Sequence, residues 1–275
     1  MVDNQTIRIT RKTVTVATDR SKLRSWWISR ALVAAPLLLF LIAWQVIGSS
    51  SQSRAFFFST PIQVLRTFIE LIRDGSLFRH TMITAGEAIS GFLLGNIIGA
   101  AIGISLWYFE ALARITKPYL VALGALPVFA IAPMTVLWFG IGIGAKIALA
   151  FLATVFVAMS QAYKGAEQVD PLLLRRFRVF GASRVHTFRH LLLPSAAVWM
   201  IGSLRITIGA ASLGAFVGEF IASERGLGYM IIRASGIYDT PRVLVGVITL
   251  VTLALSLDGC VDWLEKRILR WRMHA

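Results

Sequence analysis

Apolar residues collect into six runs, at 31–48, 82–106, 119–138, 145–162, 196–220 and 243–261. Each is close to the roughly 20 residues that a helix needs to cross a hydrocarbon layer. The polar stretches between them carry patterns of their own. In 49–80, Thr60 and Pro61 form a helix-start pair, and Ile62, Leu65, Phe68, Ile69 and Ile72 recur on one face. That spacing predicts an amphipathic helix lying on the membrane or on the protein. In the second run Gly91, Gly95, Gly99 and Gly103 recur every fourth residue, a stripe on which another helix can approach closely. The stretch 107–118 reads as a loop. Pro127 and Pro133 interrupt the third run and predict a kinked or opened span. Gly140, Gly142 and Gly144 then make a turn, either a hinge or a simple tight connection. In 221–240, Gly226-Leu227-Gly228-Tyr229 predicts a turn and a short re-entrant or surface helix.

The fold class is therefore an all-α polytopic membrane protein with six transmembrane helices. Composition agrees: 15% of the residues are charged, against about 25% in an ordinary soluble domain. The basic flank of the first run imitates a secretion signal, but the polar lead of 30 residues is too long and no small-residue cleavage site follows, so the run is read as a retained helix. The lone Cys260 lies in the last run and is read as packing.

A net charge of +14 would point a soluble protein toward nucleic acid. Here the cations flank the apolar runs and never interleave with aromatics, so nucleic acid is excluded as a partner and the charge is read as setting topology. Seven Lys/Arg lie in 1–30, two in 107–118, six in 163–194 and four in the tail. Eight lie on the other side: Arg54, Arg66, Arg73, Arg79, Lys146, Arg225, Arg233 and Arg242. Both termini are expected in the cytoplasm. The expected organisation is a basic arm (1–30), a six-helix domain (31–262) interrupted by the loop 163–194, and a basic tail (263–275).

That loop is built, not loose. Asp170 caps a short helix with Pro171 at its first position, Gly181 suits the left-handed residue that ends it, and Ser183 caps a second short helix that stops at Pro194. Apolar residues lie along one side, with Arg175, Arg176, Arg178, Arg184 and Arg189 around them. Such an elbow fits docking to a partner better than a loop resting on lipid headgroups.

The spacing of Gly181, Leu191, Leu193 and Pro194 resembles the signature of bacterial binding-protein-dependent ABC importer permeases. Further stretches are similar to the nitrate, sulfonate and taurine branch: "TPIQVL", "ALPVFAIAPMTVLWFGIGIGAKIAL", "VDPLLL", "GASRVHTFRHLLLPSA", "GSLRITIGAASLGAFVGEFIASERGLGYMI" and "LEKRILRW". Together they span roughly residues 55–272. One departure stands out: Arg175-Arg176-Phe177 occupies the place of the family's Glu-Ala-Ala.

The resemblance implies the type I importer permease fold, with the elbow as a coupling helix. It assigns ATPase coupling to Asp170, Arg175, Arg176, Phe177, Phe180, Gly181, Ala182, Ser183, Arg184, Val185, Leu193 and Pro194. It implies ABC ATPase subunits that bind ATP and Mg, a second permease copy forming a homodimer, an extracytoplasmic solute-binding protein, a lipid surround and a place in the bacterial cytoplasmic (inner) membrane. The implied solute is a small anion such as a sulfonate, taurine, nitrate or bicarbonate. The chain itself has no Gly-x4-Gly-Lys-Ser/Thr loop and no Gly-Lys dipeptide, so it is expected to bind no nucleotide or other cofactor and to be no enzyme.

Ionisable residues in apolar runs mark functional or structural sites, because charge there is expensive. Glu87, Arg205, Glu219 and Asp258 fall in this class. Arg205 and Glu219 are too far apart on one helix to pair, so Arg205 is expected to meet Glu87 or Asp258. With Pro127 and Pro133, these charges either line the translocation path or hold helices in register. His80, His186, His190 and His274 lack the spacing of a metal site. Two rival readings are a secondary transporter, which lacks the inverted repeats it needs, and a membrane scaffold recruiting a cytosolic protein, for which a proline-broken span has no use.

Overall fold

A computed structural model of the chain describes residues 20–124 and 127–269, with most side chains from Ala35 onward. The outer parts of the expected arm and tail, 1–19 and 270–275, lie outside the described residues. In chain order the helices are α1 (Arg20–Ser49), α2 (Gln52–Phe58), α3 (Pro61–Arg73), α4 (Ser76–Tyr108), α5 (Glu110–Gly124) and α6 (Val128–Phe139). They continue with α7 (Ile143–Glu167), α8 (Pro171–Val179), α9 (Arg184–Thr187), α10 (Leu193–Ile221), α11 (Leu227–Gly236) and α12 (Thr240–Ile268).

The centre is a three-helix core in which α7 packs along α4 on one side and α10 on the other. Lipid tails are as apolar as leucine, so contact rather than expulsion of water holds such helices together. Small residues make the contact. The glycine stripe of α4 lies against α7: a side-chain carbon on Gly95 would stand 2.6 Å from Thr154 Cβ, and one on Gly99 would stand 2.5 Å from the Val155 carbonyl oxygen. From the other side Gly214 of α10 lies on Ala150, where a Cβ would come within 2.8 Å of the Ala150 Cα. Ala150, Ala162, Ala211 and Ala215 are completely buried.

Four spans are long and apolar enough on their own: α4, α7, α10 with the turns before it, and α12. Two bent pairs, α2–α3 at 49° and α5–α6 at 96°, bring the number to six if each is one span, and Ala35–Ser49 of α1 is a further, shorter apolar helix. Pro127 is the residue that leads into α6 and Pro133 lies inside it, so the break expected from the prolines is there. The stretch 107–118 is not a loop: α4 runs to Tyr108 and α5 begins at Glu110, leaving only Phe109 between them. The polar composition that suggested a loop is that of a helix leaving the apolar layer.

Thr60 caps α3 as expected, accepting from the Gln63 N–H at 3.3 Å. The face of α3 divides. Val64 and Leu71 are buried with Leu77, Leu227, Met230 and Val245, while Ile62, Leu65, Ile69 and Ile72 remain exposed to the surroundings of the bundle. The helix therefore lies on the protein with one edge and offers the other to lipid or to a further chain.

The core makes a testable contrast between two glycines of one helix. Gly99→Ala should destabilise the purified protein by about 1–3 kcal/mol, the ordinary cost of overpacking, because a backbone carbonyl blocks the new methyl. Gly86→Ala meets nothing within 4 Å and should be neutral or gain about 0.5–1 kcal/mol from helix preference. Thermal unfolding of the two variants in detergent checks the pair.

Candidate functional site

The elbow forms at one end of the bundle. The Asp170 carboxylate accepts from the Leu172 N–H at 2.8 Å and starts α8. At the other end of α8 the Gly181 N–H bonds to the Arg178 carbonyl at 3.0 Å and the Ala182 N–H to the Phe177 carbonyl at 2.9 Å. This crossed pair closes a helix when the residue after the cap is left-handed, and Gly181 has φ +73°. Ser183 then caps α9, accepting from the His186 N–H at 3.2 Å.

The inner side of the elbow is anchored. Leu174, Phe188, Leu191 and Leu192 pack with Trp107, Ala162, Ala166 and Ala196 of the core helices. Its outer side is bare: Val179 is 83% exposed, Phe180 85% and Val185 68%. Phe180 borders a hollow of about 500 Å3 shared with Phe177, Gly181, Ala182, Ser183 and His186. Arg175, Arg176 and Arg184 ring this tip, all exposed, and Leu193 is partly exposed further along. The elbow thus combines an anchored inner side with largely exposed apolar residues on its outer side.

Pro194 does not end the second helix of the elbow, contrary to the expectation from sequence. A single π-type turn over Phe188–Leu192 joins α9 to α10, with the Leu193 N–H reaching back to the Phe188 carbonyl. The chain is thus helical from Arg184 to Ile221, 38 residues. The widened turn gives the proline ring room and places it at the first positions of α10, where its missing N–H costs little.

The opposite end of the bundle holds a buried polar cluster. Glu87 of α4 and Glu219 of α10 are each 1% exposed, and Lys146 of α7 is 5% exposed. The two carboxyl groups share one buried cluster with Lys146, whose charge acts on both. Buried carboxyl groups are tolerated only beside compensating charge or hydrogen bonds, and Lys146 supplies the charge here. Lys146 Nζ also donates to the Ile141 carbonyl at 3.0 Å, and Glu87 Oε2 is buried without a hydrogen-bond partner among the described residues.

Glu219 does more than balance charge. Three consecutive amides that open α11 are received by side chains of other helices. Gly226 N–H donates to His80 Nδ1 at 3.0 Å, Leu227 N–H to Thr84 Oγ1 at 2.9 Å, and Gly228 N–H to Glu219 Oε2 at 2.6 Å. Thr84 Oγ1 donates in turn to Glu219 Oε1 at 2.6 Å. The start of a helix carries partial positive charge and unpaired N–H groups, which a carboxylate matches well. Gly226, at φ +109°, has no room for a side chain: a Cβ would collide with the Glu219 carboxylate.

The intramembrane charges thus separate into two groups. Arg205 pairs with Asp258 at 2.9 Å and Asp262 at 3.1 Å, tying α10 to α12 on a half-exposed face. Of the two partners expected for it, Asp258 is the one it meets. Glu87 joins Glu219 instead, through Lys146, which the positive-inside count had placed among loop cations. A signal for Lys146 existed: it opens an apolar run, and two buried carboxylates require a cation. Thr84 and His80, one and two turns before Glu87 on α4, gave no signal, because only the fold brings α11 to them.

The chain as a whole is similar to known proteins. Residues 91–270 match the family described as the binding-protein-dependent transport system inner membrane component. The putative aliphatic sulfonates transport permease protein of Bacillus subtilis is 32% identical over 90% of this chain and 89% of its own. The riboflavin transport system permease protein of Chloroflexus aurantiacus is 33% identical over 97% and 98%, and the taurine transport system permease protein of Escherichia coli is 26% identical over 90% and 92%. Among solved structures, the inward-facing MetNI methionine ABC transporter superposes with a TM-score of 0.62 at 18% identity, covering 71% of this chain and 97% of that one. A bacterial ABC transporter involved in import of the acidic polysaccharide alginate gives 0.59 at 15%, covering 89% and 99%. The chain belongs to the family of inner-membrane permease components of binding-protein-dependent ABC importers.

Removing the clamp should free α11 and little else. In Glu219→Ala the Gly228 N–H and the Thr84 hydroxyl lose their acceptor, a loss of about 1–3 kcal/mol for buried groups, while Glu87 and Lys146 remain as a matched pair. Hydrogen exchange of amides 226–236 should then accelerate on the order of tenfold or more, with the α4 and α7 amides unchanged. Unchanged exchange at 226–236 would show that the amides are held by something other than Glu219.

Proposed function

We propose that this chain is the transmembrane permease subunit of an ATP-driven importer, passing a small solute from an extracytoplasmic binding protein to the cytoplasm. The observation that carries the reading is the elbow: a capped, anchored mount for a bare apolar tip, Val179, Phe180 and Val185, at one end of a membrane bundle. Its partner in this reading is an ABC ATPase that supplies ATP and Mg chemistry. Two permease copies would pair, embedded in lipid, with both termini and the elbow in the cytoplasm, where the positive-inside count puts them. The exposed leucines, isoleucines and phenylalanines on α1, α6 and α12 give ample apolar surface for lipid and for the second copy.

Closure of the ATPases on ATP would draw the two elbows together and rock the helices. The coupling residues are those of the elbow, Asp170 to Val185, with Leu193 and Pro194 at its root. Glu87 and Glu219 act in the outer clamp, Arg205 in the α10–α12 tie, and Pro127 and Pro133 in the broken span that borders the path. Solute recognition would rest mainly with the binding protein. A small organic anion, a sulfonate or taurine, is the first reading, since permeases named for these solutes resemble the chain over nine-tenths of its length. The riboflavin permease, similar over 97% of the chain, favours a neutral heteroaromatic solute as the second. Uptake of labelled taurine against labelled riboflavin, into vesicles holding the permease with its ATPase and binding protein, separates them.

The elbow itself is tested by two substitutions. Exposed ion pairs are worth only ~0–1 kcal/mol, so Arg175→Glu should weaken ATPase retention at most about fivefold and more at low salt than at high. Phe180→Asp places a charge in the apolar contact and should abolish both retention and uptake. A fatal Arg175→Glu beside a harmless Phe180→Asp would mean that the elbow docks through its charged ring.

A further inference from the structure

Next to the clamp, a cavity of about 470 Å3 opens between the α3–α4 turn, α11 and the start of α12. Four arginines reach it from four elements: Arg79 from the first turn of α4, Arg225 from the α10–α11 connection, Arg233 from α11 and Arg242 from the first turn of α12. Only two carboxylates, Asp74 and Glu224, share the lining. Asp74 is already engaged: its Oδ1 accepts from the Ser76 hydroxyl at 2.6 Å and the Ser76 N–H at 2.8 Å. These bonds, with Arg242 and Arg79 nearby, hold its carboxyl below the usual range.

The arginines are not satisfied in the same way. Arg242 pairs with Asp239 through its buried Nε, 3.5 Å from Asp239 Oδ2, without a hydrogen bond among the described residues. Arg79, Arg225 and Arg233 form no ion pair among the described residues. Arg233 is oriented by donating to the Tyr229 hydroxyl. Bringing like charges together beside a low-dielectric bundle is unfavourable unless something of opposite charge is bound between them. The cluster is also preorganised, because Arg225, Tyr229 and Arg233 belong to the stretch whose leading amides are pinned by His80, Thr84 and Glu219.

We propose that this cavity is a binding site for an oxyanion: the sulfonate, carboxylate or phosphate group of a free solute or of a lipid headgroup. Guanidinium forks match the oxygen geometry of these groups in paired hydrogen bonds, which an ammonium does not. Arg79 and Arg233, facing the cavity from different helices, would supply the main contacts, with Arg225 and Arg242 completing the shell. The inference stands on the cavity's own residues and does not depend on which solute is transported or on the elbow's partner.

The test uses the purified permease alone, in nanodiscs of phosphatidylcholine, titrated calorimetrically with ethanesulfonate and with inorganic phosphate. Saturable binding is expected, weakened tenfold or more by Arg79→Gln or Arg233→Gln, partly restored in Arg233→Lys, and unchanged by Arg189→Gln at the elbow end. If the natural occupant is a headgroup, free anions bind poorly, and native mass spectrometry instead shows phosphatidylglycerol retained by the parent protein and lost from Arg233→Gln. Size-exclusion profiles of each variant confirm that it remains folded. The proposal is overturned if neither anion binding nor phosphatidylglycerol retention depends on Arg79 or Arg233.

Discussion

The structure depends on how closely three helices approach at Ala150. This residue of α7 is completely buried, with Gly91 of α4 on one side and Gly214 of α10 on the other, and neither glycine position has room for a side-chain carbon. In lipid no expulsion of water rewards a loose fit, so these three helices are held chiefly by density of contact, with a few interhelical hydrogen bonds such as Asn96–Thr207 beside it. Larger residues at any of the three positions would push α7 away from a neighbour. That separation would also open the polar cluster one turn further on, where Lys146, Glu87 and Glu219 are buried together.

The two functional ends are therefore extensions of one core. At one end Trp107 of α4, Ala162 and Ala166 of α7, and Ala196 of α10 seat the elbow. At the other, His80 and Thr84 of α4 and Glu219 of α10 receive the opening amides of α11. The helix from Arg184 to Ile221 runs from the elbow to the clamp without a break, since its π-type turn absorbs Pro194. A displacement of the elbow by a docked partner would thus be carried to the far end by a rigid body. The broken α5–α6 pair and the half-exposed Arg205–Asp258 tie lie at the margins of that body, where relative movement is easier.

Local chemistry was legible in the sequence. The caps at Thr60, Asp170 and Ser183, the left-handed Gly181, the break at Pro127 and the glycine stripe are each set by residues within a turn or two, and each is found. What depended on neighbours from distant parts of the chain was not legible. Lys146 reads as an ordinary loop cation until α4 and α10 are placed against it. Pro194 reads as a stop because a proline in a straight helix is one, and a single wide turn changes that outcome. Phe109 alone separates two helices where polar composition had indicated a loop. The α11 clamp was invisible for the same reason: its donors are backbone amides, which no side-chain pattern announces.

If elbow, core and clamp move as one body, the distance between the two ends of the bundle must stay fixed while the elbow is displaced. Spin labels at Arg189 and Ser235, both exposed, can be placed in a Cys260→Ser background on one protomer of the complex assembled with its ATPase. Electron–electron resonance then reports their separation with and without ATP and Mg. A rigid body gives one narrow distribution that is the same in both conditions, while labels on the two elbows of the paired permeases approach each other. A separation between Arg189 and Ser235 that shifts or splits on adding ATP would contradict it, because the core would then be flexing between its two ends.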